Sequence, residues 1–127
     1  MTPQTVVVAL AGLLVLLAVR RALRVRSLKQ YKPEEVEALL CSSQEIVLLD
    51  VRTEQERRRS AIRGSLHIPL QALGSRLREL ERHRGKEIVC YCQSGNRSVS
   101  AAILLRRSGF KAANLRGGIT DWNFARR

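Results

Sequence analysis

Two cysteines one residue apart, Cys90 and Cys92, close a short apolar run. The loop Gln93-Ser94-Gly95-Asn96-Arg97-Ser98 follows, and then a helical pattern begins. A thiol at Cys92 has three fates: reactive nucleophile, half of a disulfide or metal pair with Cys90, or small buried residue. The first requires a thiolate. Gly95 supplies backbone angles closed to other residues, so a tight loop can turn several N–H groups inward as an anion nest. The start of the following helix adds its dipole. That dipole is worth about 0.3–1 kcal/mol, whereas each charge-assisted N–H bond to a thiolate is worth roughly 1.5 kcal/mol or more. The loop amides should therefore outweigh the dipole in forming the thiolate. Arg97 adds a fixed charge that can also hold an anionic substrate.

Burial as a small hydrophobe is the usual fate of a free cysteine. It suits Cys90, which strand alternation places on a sheet face, and Cys41 at a helix end. Cys92 differs because strand end, glycine loop, arginine and helix start coincide there. Three cysteines at 41, 90 and 92 match no zinc spacing, since C-x-C without a second ligand pair is incomplete. No metal and no organic cofactor is expected. An odd count suits a reducing compartment with a free thiol.

The elements around this loop read as alternating strand and helix. Residues 46–49 form a continuous apolar run ending at Asp50, as a buried parallel strand should, and 88–91 form another. Residues 66–70 read as a short strand cut by Pro69, and 112–115 as a last strand. Lys32-Pro33-Glu34-Glu35 opens a helix with Pro and acids in its first turn and Val36, Leu39 and Leu40 as its stripe. Residues 54–59 are polar and make at most two helical turns. Leu73, Leu77 and Leu80 have helical spacing. A helix is predicted over 98–107, with Val99, Ala102, Ile103 and Leu105 toward the core and Gly109 as its stop. Gly117-Gly118 opens a short final helix carrying Trp122. The result is a small α/β domain with a mainly parallel sheet, in which ligands bind beyond the carboxyl ends of strands. Cys92 lies at that place.

The chain of 127 residues suits one domain with a modest core. Its formal net charge is +12, but Arg20, Arg21, Arg24, Arg26, Lys29 and Lys32 supply half of the excess. The rest is thinly spread and aromatics are only 4%, which argues against nucleic acid. Residues 5–19 carry no charge and no strong polar group. With residues 1–4 they give a helix of about 28 Å, close to a hydrocarbon core of ~30 Å, and Arg20 and Arg21 can snorkel. A cleaved signal peptide would put its positive charge first; here the bases follow. The positive-inside rule then leaves the rest of the chain on the cytoplasmic side. We expect residues 1–27 to be a single-pass anchor with a basic juxtamembrane segment, and 28–127 to be the globular domain.

Cys92-Gln93-Ser94-Gly95-Asn96-Arg97-Ser98 resembles the C-x-x-G-x-R-[ST] loop of rhodaneses, the sulfurtransferase family. Asp50-Val51-Arg52, Ile68-Pro69-Leu70 and Leu115-Arg116-Gly117-Gly118-Ile119 with Trp122 resemble its other motifs, over about residues 31–125. With the apolar segment in front, the whole resembles bacterial membrane-anchored single-domain rhodaneses. The resemblance implies a three-layer domain at the inner membrane, facing the cytoplasm. It also implies a mechanism: Cys92 thiolate attacks a small anionic sulfur donor such as thiosulfate. The resulting persulfide, cradled by the N–H groups of Gln93 to Ser98, passes its sulfur to a thiol, a protein thiol or cyanide. Asp50, Arg52, Gly117, Gly118 and Trp122 are expected to be structural.

The chain departs from the family after Asp50-Val51-Arg52. Arg57 replaces an aromatic, and Ser60-Ala61-Ile62 stands where Gly-His-Ile is usual. These changes bear on local packing and a pocket wall, and residues 57–59 read as a solvated face or a weak attractor of anions. Two other functions compete. A cysteine-dependent phosphatase would need five residues between cysteine and arginine, and only four separate Cys92 from Arg97. A non-catalytic membrane-tethered interaction module would usually lack the cysteine.

Overall fold

A computed structural model describes residues 1–42 and 45–127. The apolar runs become strands β2 (Ile46–Asp50) and β4 (Glu87–Tyr91), joined by β1 (Gln30–Tyr31), β3 (Leu66–His67) and β5 (Lys111–Leu115). All five form one parallel sheet in the order β1-β5-β4-β2-β3. Its two central strands are buried on both faces, which is why they read as continuous apolar runs rather than as alternation.

Helices α2 (Pro33–Cys41), α3 (Glu54–Arg59), α4 (Leu70–Leu73), α5 (Asn96–Arg107) and α6 (Gly118–Ala125) connect and cover the strands. A 3₁₀ segment runs over Leu77–His83. The period of two along β4 divides the core. Ile88, Cys90 and Cys92 face Leu73, Leu80, Ala101, Ala102 and Leu105 on the α4–α5 side. Val89 and Tyr91 face Val36, Ile119 and Trp122 on the α2–α6 side. The domain is thus a three-layer α/β/α fold, as expected.

Ahead of it, α1 (Pro3–Ser27) is one continuous helix. Residues Pro3–Arg24 are long and apolar enough to cross a membrane, and none of their most apolar stretch is buried against the domain.

Several local expectations change. The strand expected over 66–70 is only Leu66–His67, because Pro69 lacks an N–H and stands as the N-cap of α4. Leu73 and Leu80 are buried, but they belong to α4 and to the 3₁₀ segment rather than to the one helix their spacing suggests. In α5, Ala101 is buried while Val99 and Ile103 are half-buried. Helix α5 also opens two residues early, at Asn96, because Gly95 takes φ +103° and turns the chain into the first helical residue at once.

Candidate active site

Strand β4 delivers Cys92 to the carboxyl edge of the sheet, and Gly95 folds the chain back so that α5 begins over the sulfur. The Gly95 N–H donates to Cys92 Sγ at 3.1 Å and the Ser98 N–H at 3.4 Å. The Ser98 hydroxyl lies 3.3 Å from the same sulfur. Cys92 is 1% exposed. Burial alone would push its thiol up. Hydrogen bonds from the Ser98 side chain, the Ser98 and Gly95 N–H groups and the Ser94 N–H outweigh it and hold the thiol below its ordinary value. The site therefore favours a thiolate at the one place where donors converge. Cys90, fully buried two residues earlier, has its thiol pushed far up by burial and by its neighbour Cys92. All three cysteines are free.

The expected ring of six N–H groups is thus narrower, with Gly95 and Ser98 bonding the sulfur and Ser94 contributing. The Ser98 hydroxyl is a donor that reading the loop as backbone alone leaves out. A charge-assisted bond of this kind is worth roughly 1.5 kcal/mol, about a tenfold change in an equilibrium. Ser98→Ala should therefore slow alkylation of Cys92 at neutral pH about tenfold and move its rate profile to higher pH, while alkylation at high pH stays unchanged. Iodoacetamide trapping across pH checks this, and an unshifted profile refutes the role of the hydroxyl.

Arg97 departs from expectation. It sits in the first turn of α5, and its guanidinium holds Glu56 in a two-pronged ion pair, both contacts at 2.7 Å. Its charge is already matched. Glu56 also closes the capping box of α3, accepting from the Thr53 N–H while its own N–H bonds the Thr53 hydroxyl. The Arg97 hydrogen bonds bring Glu56 down to about 2. Because the folded value is depressed, the stability this pair contributes is full above the ordinary carboxylate range and is lost as pH falls toward 2. The two side chains are 36% and 26% exposed, so solvent screening keeps the contribution near 1 kcal/mol. In urea unfolding, the deficit of Glu56→Gln should be constant from pH 7 to 5, shrink below pH 4.5 and close near pH 2.

Behind the loop stands the Asp50-Val51-Arg52 corner. Asp50 is wholly buried and Arg52 is 2% exposed. Asp50 Oδ1 accepts from the Arg52 N–H (2.9 Å) and Nε (3.0 Å), and Oδ2 accepts from Arg52 Nη2 (2.8 Å) and the Tyr91 hydroxyl (3.0 Å). Arg52 Nη1 reaches Gln93 Oε1 at 3.4 Å, which ties this corner to the cysteine loop. Asp50 and Arg52 are thus joined by a buried ion pair, which suits the structural role expected of them.

Arg57 does not lie on a solvated face. It bonds Asp50 Oδ2 (3.3 Å), Ser65 Oγ (3.0 Å) and the Ser65 carbonyl (2.8 Å), while Arg58 and Arg59 remain exposed. The position that usually packs an aromatic here packs a guanidinium stem, its head sharing Asp50 with Arg52 and bonding Ser65.

The opposite wall is built by the paired glycines. The Ile119 N–H donates to the Cys92 carbonyl at 2.9 Å and the Thr120 N–H to the Gln93 carbonyl at 3.2 Å. A Cβ on Gly118, at φ +61°, would lie 2.4 Å from the Cys92 carbonyl oxygen, so only glycine permits this approach. The Gln93 amide donates to Thr120 Oγ1 at 3.0 Å. Asn114 reaches the Gly95 carbonyl from below at 3.5 Å and is fixed by Gln30 at 2.7 Å. Sequence reading passes over Asn114, Glu56 and Thr120. Of these only Glu56 leaves a signal, the Thr53-x-x-Glu56 capping box. The exposed Gln93, Ser94 and Asn96 form the mouth, and a cleft of about 320 Å³ beside it is walled by Ser94, Asn96, Asn114 and Arg116. Among the described residues no cluster of three or more His, Cys, Asp or Glu side chains suits a metal ion.

A three-layer parallel fold with a cysteine held by a helix-opening loop at the strand ends defines a class, and comparison with known proteins agrees. The chain belongs to the Rhodanese-like domain family, which matches residues 32–125. It is 33% identical over 90 residues to a sulfurtransferase of Allochromatium vinosum, covering 70% of this chain and 82% of that one. It is 31% identical over 123 residues to the uncharacterized protein YqhL of Bacillus subtilis, covering 96% and 94%. Among solved structures, the thiosulfate sulfurtransferase of Pseudomonas aeruginosa superposes with a TM-score of 0.70 at 29% identity, covering 80% of this chain and 20% of that one. A Rhodopseudomonas palustris protein described as a possible tyrosine phosphatase superposes with a TM-score of 0.74 at 26% identity, covering 83% and 86%.

Proposed function

We propose that the protein is a membrane-anchored sulfurtransferase that carries sulfane sulfur on Cys92. The observation that carries this reading is the convergence of the Gly95 and Ser98 N–H groups and the Ser98 hydroxyl on one sulfur atom. In the first half-reaction, Cys92 thiolate attacks the outer sulfur of thiosulfate. The new S–S bond forms as the sulfur–sulfur bond of the donor breaks, and sulfite leaves with the electron pair. The loop donors then hold the terminal persulfide sulfur. In the second, an acceptor thiolate or cyanide takes that sulfur, and Cys92 leaves as thiolate. No net redox change of the enzyme occurs and no cofactor is called for. The deep burial of Cys92 favours donors whose terminal sulfur is narrow enough to enter the loop mouth.

Residues 1–27 serve as the single-pass anchor, and the bases after the apolar stretch keep the domain (28–127) in the cytoplasm. Physiological acceptors are thiols, including protein thiols. The Arg97–Glu56 pair disfavours the phosphatase reading, because a phosphate would have to displace a carboxylate already bound through two contacts. Intact-mass spectrometry after incubation with thiosulfate tests the proposal: one added sulfur on the wild type and none on Cys92→Ala. Failure of every sulfane donor to load the wild type would overturn it in favour of a non-catalytic interaction module.

A further inference from the structure

Helix α1 does not lead straight away from the domain. Only Leu28 and Lys29 separate its last residue, Ser27, from β1, and β1 pairs in parallel with the carboxyl end of β5, Gln30 opposite Asn114 and Tyr31 opposite Leu115. Strand β1 therefore runs toward the cysteine edge of the sheet. To enter it after so short a turn, the end of α1 must descend beside the sheet in the opposite sense, as α5 does.

Two contacts show this directly. Arg21 Nη2 meets Ser100 Oγ at 3.4 Å, and Arg106 Nη1 donates to the Ser27 carbonyl at 3.1 Å. Both pairs are separated by 79 residues in the chain, so a step along α1 is a step in the same direction along α5. At that offset Val19, the last residue of the apolar stretch, stands level with Ser98, the residue that bonds the Cys92 sulfur. The rest of α1 projects beyond the cysteine edge. Where the apolar side chains begin, the domain ends, and the sulfur lies within about one helical turn (~5 Å) of that level.

We propose that the carboxyl edge of the sheet, with the Cys92 mouth, rests on an anionic lipid surface, so that Cys92 exchanges sulfur with partners held in the headgroup layer. This rests on the reading of α1 as a span. The chemistry of the junction fits such a surface. Arg20 and Arg21 stand at this level, and with Leu17 they line the membrane end of a recess of about 300 Å³ that continues between α1 and α5 to Arg24, Ile103 and Arg107. Among the described residues none of the four arginines is paired with a carboxylate. Leu17 toward the span and the cations of Arg20 and Arg21 next to it complement the start of an acyl chain and its phosphate. Phospholipid is thus the occupant, and Cys92 meets its sulfur partners at the headgroup layer.

The test uses the full chain in lipid nanodiscs containing anionic phospholipid, in a Cys41→Ser/Cys92→Ser background. A single fluorophore is placed at Asn96→Cys, on the cysteine edge, or at Lys111→Cys, about 16 Å away at the other end of the domain; Ser94→Cys is a second probe of the same edge should Asn96→Cys misfold. A quencher fixed to lipid headgroups should quench the Asn96 and Ser94 probes at least several-fold more than the Lys111 probe. Equal quenching, or the reverse order, in protein retained by the disc overturns the docked edge while leaving the anchor and Cys92 chemistry standing. Protein that fails to enter the disc overturns the anchor and the proposal with it. Sulfur loading of the wild type, measured separately, bears on neither outcome.

Discussion

Cys92→Ser should abolish sulfur loading and lower transfer by at least about 10³-fold, the scale seen when a covalent nucleophile is removed from an otherwise intact site. The serine hydroxyl stays protonated at neutral pH, so the loop donors have no anion to hold. The loss is chemical rather than structural. Serine nearly matches cysteine in volume, and its oxygen can accept the Gly95 and Ser98 N–H bonds that Sγ accepts now. Thermal unfolding should therefore stay close to that of the wild type. Cys90→Ala and Cys41→Ser supply the contrast. Cys90 is packed between β4 and α5 with its thiol pushed up, and Cys41 is exposed at the end of α2. Both variants should load sulfur at wild-type stoichiometry in the mass measurement. Retained loading in Cys92→Ser, or loss of loading in both controls, would defeat the assignment of the nucleophile.

Arg52→Ala should cost about 3–5 kcal/mol, the usual result of leaving a buried charge without its partner. That is a large part of the 5–15 kcal/mol that holds a typical domain. Asp50 has no exposure at all, and the Arg52 side chain gives it two hydrogen bonds that the substitution removes, while the bond from the Arg52 N–H stays. Arg57, at 3.3 Å, offsets part of the loss. The pH dependence identifies the cause. Burial pushes the Asp50 carboxyl up, and the Arg52 hydrogen bonds override it and hold the carboxyl down. In the wild type the contribution of Asp50 is therefore full above the ordinary carboxylate range and is lost as pH falls below it. Without the Arg52 side chain burial is opposed only by the residue-52 N–H, the Tyr91 hydroxyl and Arg57, the Asp50 carboxyl moves up, and the deficit should shrink as pH falls from 7 toward 4. Asp50→Asn/Arg52→Met, which removes both charges, should recover much of the stability. Urea unfolding in mild detergent, followed by the single tryptophan, Trp122, reads all three. A deficit independent of pH would show that packing, not charge, is what Arg52 contributes.

The exchange of an aromatic for Arg57 becomes intelligible beside this pair. A guanidinium on α3 is tolerated because Asp50 Oδ2 and the Ser65 carbonyl are within reach. The same geometry explains why reading residues 57–59 as one solvated run fails for its first member only. Three consecutive residues fan over about 200° of a helix, so Arg57, Arg58 and Arg59 cannot all share an environment.

Much of the protein was determined by residue order alone. Apolar runs at 46–49 and 88–91 require a sheet covered on both faces, Gly95 requires a tight loop after Cys92, and Gly117-Gly118 opens the last helix. Period-two alternation along β4 separates Cys90 and Cys92 from Tyr91. These are local consequences of backbone geometry and of keeping apolar side chains from water, and they hold whatever the rest of the chain does. The partners of charged groups are another matter. That Arg97 spends its charge on Glu56, 41 residues away, that Arg57 turns inward to Asp50, and that Asn114 props the Gly95 carbonyl were decided only by the tertiary structure. A long flexible side chain can meet any group within several ångströms, and which group is there depends on how distant segments pack. The direction of α1 belongs to the same class: its apolar length is written in its composition, but only the two-residue turn into β1 and the contacts with α5 set which end of the domain the apolar helix leaves from.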